Sequence, residues 1–165
     1  MKKMSLDEFQ DAVVELYQGE VMGEVLFNDM LTNFDDSHQR HKIASLLQLE
    51  TETKARLRPL VVGLGIHPAE LEKSRQVGHK FAEGLRDLSW VESMERLRDV
   101  VRQYALRYRE ILAKAPSEYQ APVASMVLHE QALLRFTELE LTGEVERSLD
   151  DVNAQLHWPL TNLIA

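Results

Sequence analysis

The chain has 165 residues and a mass of 19.0 kDa, which fits one domain, 1–165, able to bury a sizeable core. Its 44% apolar and 28% charged content is that of a soluble globular chain, and the absence of cysteine excludes disulfides, thiolate metal sites and cysteine nucleophiles. A formal charge of −8 speaks against a phosphate-tracking, nucleic-acid-binding surface; Arg96, Arg98, Arg102, Arg107 and Arg109 alternate with acids and read as solvated helix face.

The opening MKKMSLDEF turns acidic and amphipathic at once, with no apolar core region or small-residue cleavage site, so no secretion signal is expected. Ser5 and Glu8 have the spacing of a capping box and open a first helix expected to reach about residue 34. Val13, Leu16, Tyr17, Val21, Leu26, Phe27, Met30 and Leu31 supply its apolar positions. Asp35, Asp36 and Ser37 break the chain and cap a second helix over about 37–62. Its stripe is Ile43, Leu46, Leu47, Leu57, Leu60 and Leu64, with Pro59 placed to bend the last turns.

Gly63, Gly65 and Pro68 then punctuate the chain, and 66–88 reads as a crossover with a short helix. Ser89 and Glu92 form a second capping box. The helix they open carries Trp90, Met94, Leu97, Val101, Tyr104, Tyr108 and Ile111 in one seam, and Pro116 stops it. A fourth long helix over about 117–141 buries Val123, Met126, Val127, Leu133, Leu134 and Thr137, with Gly143 in the C-cap position. A shorter fifth helix holds Val145, Leu149, Val152 and Leu156 before Pro159. Nothing alternates with period two, and no apolar run approaches the ~20 residues of a membrane span. The fold class expected is all-α: a bundle of four long helices, one long crossover and a short C-terminal helix.

Three acids interrupt the apolar stripes. Leu16, Glu20, Gly23, Phe27 and Leu31 share one face of the first helix. Ile43, Leu46, Glu50, Thr53 and Leu57 share one of the second, and Met126, Glu130, Leu133 and Thr137 one of the fourth, with His129 at its edge. A carboxylate facing a core costs several kcal/mol unless it is paired, protonated or bound to a cation. Acids on separate helices with a nearby imidazole suit iron or manganese. The alternative is buried polar glue, with the acids hydrogen-bonded to Tyr17, Tyr104, Tyr108 or arginines.

His38 and His41 have polar neighbours and read as surface residues; His67 and His79 sit apart in the crossover. No glycine-rich phosphate loop or G-x-S-x-G elbow is present, and the methionines read as core filler.

The stretch EVMGEVLFNDML, the thirty-residue interval from Glu20 to Glu50 and the crossover resemble the ferritin-like superfamily of rubrerythrin and di-iron carboxylate proteins. The resemblance implies a ferritin-like bundle with Glu20 as the first-helix ligand and Glu50 as the second-helix carboxylate. The second-helix histidine of that pattern is Thr53 here. Glu130 corresponds to the next glutamate, which would make the Trp90–Ile111 helix an extra or displaced element. The final Glu-x-x-His is missing, with only Asp150, Asn153 or His157 in its region. The ligand set implied is therefore incomplete, Glu20, Glu50 and Glu130, a reduced mononuclear site or a fold that has lost its metal; His129, adjoining Glu130, reads either as a nitrogen ligand or as a core-edge histidine satisfied by a carbonyl or tyrosine.

Three functional expectations follow. One is a non-catalytic or reduced-site bundle acting by binding or assembly, and another is an iron- or manganese-dependent oxidase or hydroxylase. The third is a bundle holding a small molecule between walls of Trp90, Tyr104 and Tyr108. Cytoplasmic residence, no nucleic-acid or membrane partner, and self-association into a homo-oligomer complete the expectations.

Overall fold

In a computed structural model that describes residues 3–159, the chain is all-α, and no strand occurs among the described residues. Met1 and Lys2 of the opening segment lie outside them. Helix α1 spans Leu6–Met30 and starts at the expected capping box: Ser5 N donates to Glu8 Oε2 (2.7 Å) and Glu8 N to Ser5 Oγ (3.3 Å). It stops four residues short of the expected end, because residues 31–33 form turns that carry Phe34 into the core against Trp90. Helix α2, Ser37–Gly63, is capped by Asp36, whose Oδ1 accepts from Gln39 N at 2.8 Å, and it continues through Pro59.

The crossover holds helix α3, Glu72–Leu85, which lies along α1. Contact there is close enough that a Cβ at Gly78 would stand 2.5 Å from Met22 O and 3.0 Å from Val25 Cβ. Helix α4, Trp90–Lys114, opens at the second capping box, from Ser89 to Glu92, and packs along α5, Gln120–Thr142. A single 3₁₀ turn, Ser117–Tyr119, precedes α5, and Gly143 (φ 85°) ends it in the left-handed conformation that a C-cap glycine adopts without strain. The C-terminal region is less helical than expected: a 3₁₀ turn over Val145–Arg147, then α6 of only Asp150–Asn153. It still delivers Val152 and Leu156 to the core.

The core falls into two apolar halves. One contains Phe27 and Met30 of α1, Ile43 and Leu46 of α2, Met94 and Leu97 of α4, and Leu133 and Phe136 of α5. The other contains Val13 and Leu16, Leu57 and Val61, Tyr108 and Ile111, and Val123 and Met126, from the same helices in the same order. These memberships fix the directions: α1 and α5 run one way, α2 and α4 the other. Helix α4 is thus a full member of the bundle, not the displaced element implied by the resemblance. Between the halves, α1 contributes Glu20 and Gly23, α2 Glu50 and Thr53, and α5 His129 and Glu130. A polar layer crosses the middle of the bundle.

Candidate metal centre

All three inward acids are where the helical spacing puts them, with Glu20 1%, Glu50 3% and Glu130 5% exposed. His129, expected at the edge of its stripe, is fully buried. Its Nε2 lies 3.5 Å from Glu20 Oε2, 3.5 Å from Glu50 Oε1 and 4.0 Å from Glu130 Oε1. One ligand atom each from Glu20, Glu50 and His129 falls within 4.8 Å of the other two, so this group could hold a metal ion.

The site depends on what its neighbours leave out. A Cβ at Gly23 would lie 2.5 Å from Glu50 Cδ and 2.9 Å from Oε1, so only glycine lets that carboxylate lie against α1. Thr53 Oγ1 is 3.1 Å from His129 Nδ1 and accepts from Arg56 Nη2 at 2.7 Å. With Nδ1–H donating to this hydroxyl, the Nε2 lone pair faces the carboxylates, the arrangement in which an outer partner orients a metal-binding imidazole. The imidazole that faces the carboxylates therefore comes from α5 and rests on Thr53 of α2.

Burial, the largest cause, raises the Glu20 carboxyl well above 4.5, reinforced by the charges of Glu50 and Glu130. Burial and then Glu50 raise the Glu130 carboxyl in the same way. The polar-glue alternative requires donors that Glu20 lacks. Among the described residues no tyrosine, arginine or backbone group donates to Glu20, whose hydrogen-bonding neighbour is another acid, Glu50, and His129 Nε2 has no partner. Tyr17, Tyr104 and Tyr108 do not donate to Glu20, and the hydroxyl of Tyr104 points instead to Met22 Sδ at 3.5 Å.

Other candidates lie elsewhere. His157 is exposed, with its backbone N donating to Glu52 Oε2 (2.7 Å), and Asp150 and Asn153 face a surface groove with His38 and His41. His79 pairs with Asp29 at 2.5 Å, and His67 is exposed. Glu24 does not enter the site; it accepts from Thr51 Oγ1 (2.6 Å) and pairs with Lys54, which also meets Glu70 of the crossover at 2.5 Å. Trp90 does not join the tyrosines. It packs edge-on to Phe34, and its Nε1 donates to Glu140 Oε2 at 2.8 Å.

Sequence reasoning missed the buried Lys54 and Glu140, the latter paired with Lys42. Lys54 falls four residues after Glu50 on the same helix, and that spacing was a signal for an inward cation. In comparison with known proteins, the chain matches no family model, no curated protein and no solved structure.

Proposed function

We propose that this protein is a metal-binding helical bundle of ferritin-like layout with a reduced site, holding a single divalent transition-metal ion on Glu20, Glu50 and His129. Glu130 stands as the fourth group. The observation that carries this reading is the convergence of buried Glu20 and Glu50 carboxylate oxygens on His129 Nε2, which has no hydrogen-bond partner among the described residues. Spacing supports it as well. A separation of 3.5 Å between Nε2 and two carboxylate oxygens is too long for good hydrogen bonds. Three carboxylates beside one imidazole make a hard donor set, which favours iron(II) or manganese(II). The protein's action on this reading is to bind the ion and present it inside the bundle.

A second reading, a metal-dependent oxidase or hydroxylase, draws on one feature. A cavity of about 30 Å³ lined by Glu50, Glu130, Tyr104 and Tyr108 adjoins the carboxylates and leaves space for an additional ligand. Its volume and the separate position of Trp90 speak against a larger organic ligand at these tyrosines.

Anaerobic calorimetric titration with iron(II) and manganese(II) tests the first reading. Wild type is expected to saturate at about one ion per chain, and Glu50→Ala to lose at least about a hundredfold in affinity. Equal titrations of both proteins would dispose of the proposal.

A further inference from the structure

Helices α1, α2 and α5 each send a carboxylate or imidazole into the central layer, whereas α4 sends a phenol. Tyr108 is fully buried, and its hydroxyl has no hydrogen-bond partner among the described residues. An orphaned hydroxyl in a core is destabilising and needs a reason. Two observations place that hydroxyl. A Cβ at Gly19 would lie inside van der Waals contact with Oη and 3.6 Å from Cζ, so the phenol lies against α1 one residue from Glu20. Tyr108, Gly19, Gly23, Glu50 and Glu130 all line the same 30 Å³ cavity, whose half-buried Met22, Val100 and Tyr104 lie toward the surface. By this measure a water needs about 10–15 Å³, so the space suits roughly one or two heavy atoms.

We infer that Tyr108 is the hydrogen-bond donor to a small ligand, water or a two-atom molecule, held beside the metal ion in the cavity between α1, α4 and α5. This rests on the metal-binding reading above. The chemistry suits a donor: a phenol carries one O–H, and that of Tyr108 has no acceptor among the described residues. Tyr108 is thereby a positioning residue. It leaves the ion's own ligands unchanged and orients what occupies the open side. The ligand class is set by size and by the need for a hydrogen-bond acceptor; molecules of more than about two heavy atoms exceed the space.

The test uses the full chain loaded anaerobically with iron(II) and titrated with nitric oxide, a two-atom acceptor whose adduct has an EPR signal and an infrared N–O stretch. Tyr108→Phe is expected to take up iron as wild type does, yet bind nitric oxide about fivefold more weakly, the loss of one hydrogen bond. Its N–O stretch should move to higher frequency and lose the deuterium sensitivity of the wild-type band. Gly19→Ala, whose methyl group displaces the hydroxyl while keeping the tyrosine, should shift the band in the same direction. Wild-type affinity and frequency in Tyr108→Phe, with iron bound, overturn the inference alone. Failure of Tyr108→Phe to hold iron would assign the phenol a structural role and overturn it too. No iron uptake by wild type overturns the metal-binding reading, and this inference with it.

Discussion

A methyl group added at Gly23 would fall within 2.5 Å of Glu50 Cδ, and the carboxylate, at the end of a flexible side chain, is what must move. Gly23→Ala is therefore expected to leave the helix intact and weaken metal binding by at least about tenfold, or ~1.4 kcal/mol, in a calorimetric titration. The acids themselves carry a cost when no ion is present. Because burial raises the Glu20 carboxyl above 4.5, the folded chain keeps a proton that the unfolded chain has already released. Stability of the metal-free protein thus falls as pH climbs from about 4.5 through the raised value. Glu20→Gln has the same shape without the ionisation. In chelator, urea unfolding should find it more stable than wild type at pH 7, with the gap closing near pH 4.5. A wild type more stable than Glu20→Gln at pH 7 without metal would show that Glu20 is ionised and well paired. Which of two neighbours on α5 faces the site was less legible. Residues 129 and 130 stand about 100° apart on a helix, so one stripe cannot tell whether the histidine is ligand or edge. Only packing against Thr53 decides it.

Helix starts were readable because their chemistry is local: both capping boxes and the Asp36 cap form as spaced. Helix ends and the crossover were not. The stop at Met30 depends on Phe34 finding Trp90, 56 residues away in sequence, and the position of α3 on α1 depends on Gly78 meeting a backbone carbonyl. Met22 O cannot swing aside as a side chain can, so Gly78→Ala should lift α3 and destabilise the fold by about 2 kcal/mol in urea unfolding. A stability equal to wild type would mean that α3 slides freely on α1. Lys42, Glu140 and Trp90 join α2, α5 and α4 at one end of the bundle by an ion pair and an indole hydrogen bond. Glu140 is nearly inaccessible there, and Glu140→Ala leaves a largely buried ammonium without its counter-charge, held by the Val145 carbonyl at 3.0 Å. A loss of roughly 3 kcal/mol is expected, with metal affinity retained because the site lies in a different layer.

At the scale of the whole molecule, two apolar halves are separated by a layer of three acids and an imidazole, contributed by the same helices that build both halves. Helical period alone revealed that layer, since a residue that breaks a stripe is visible at any distance in sequence. Which atoms meet within it was hidden, because their meeting depends on how four helices are rotated against one another. On the proposed reading, a cation that ties α1, α2 and α5 together offsets the cost of burying these acids. The most direct test is elemental analysis of protein purified without a histidine tag, beside His129→Ala prepared identically. Roughly one equivalent of iron or manganese in wild type, lost in His129→Ala, is the predicted result. Wild type free of metal even after anaerobic loading, or His129→Ala retaining as much metal as wild type, would contradict the account.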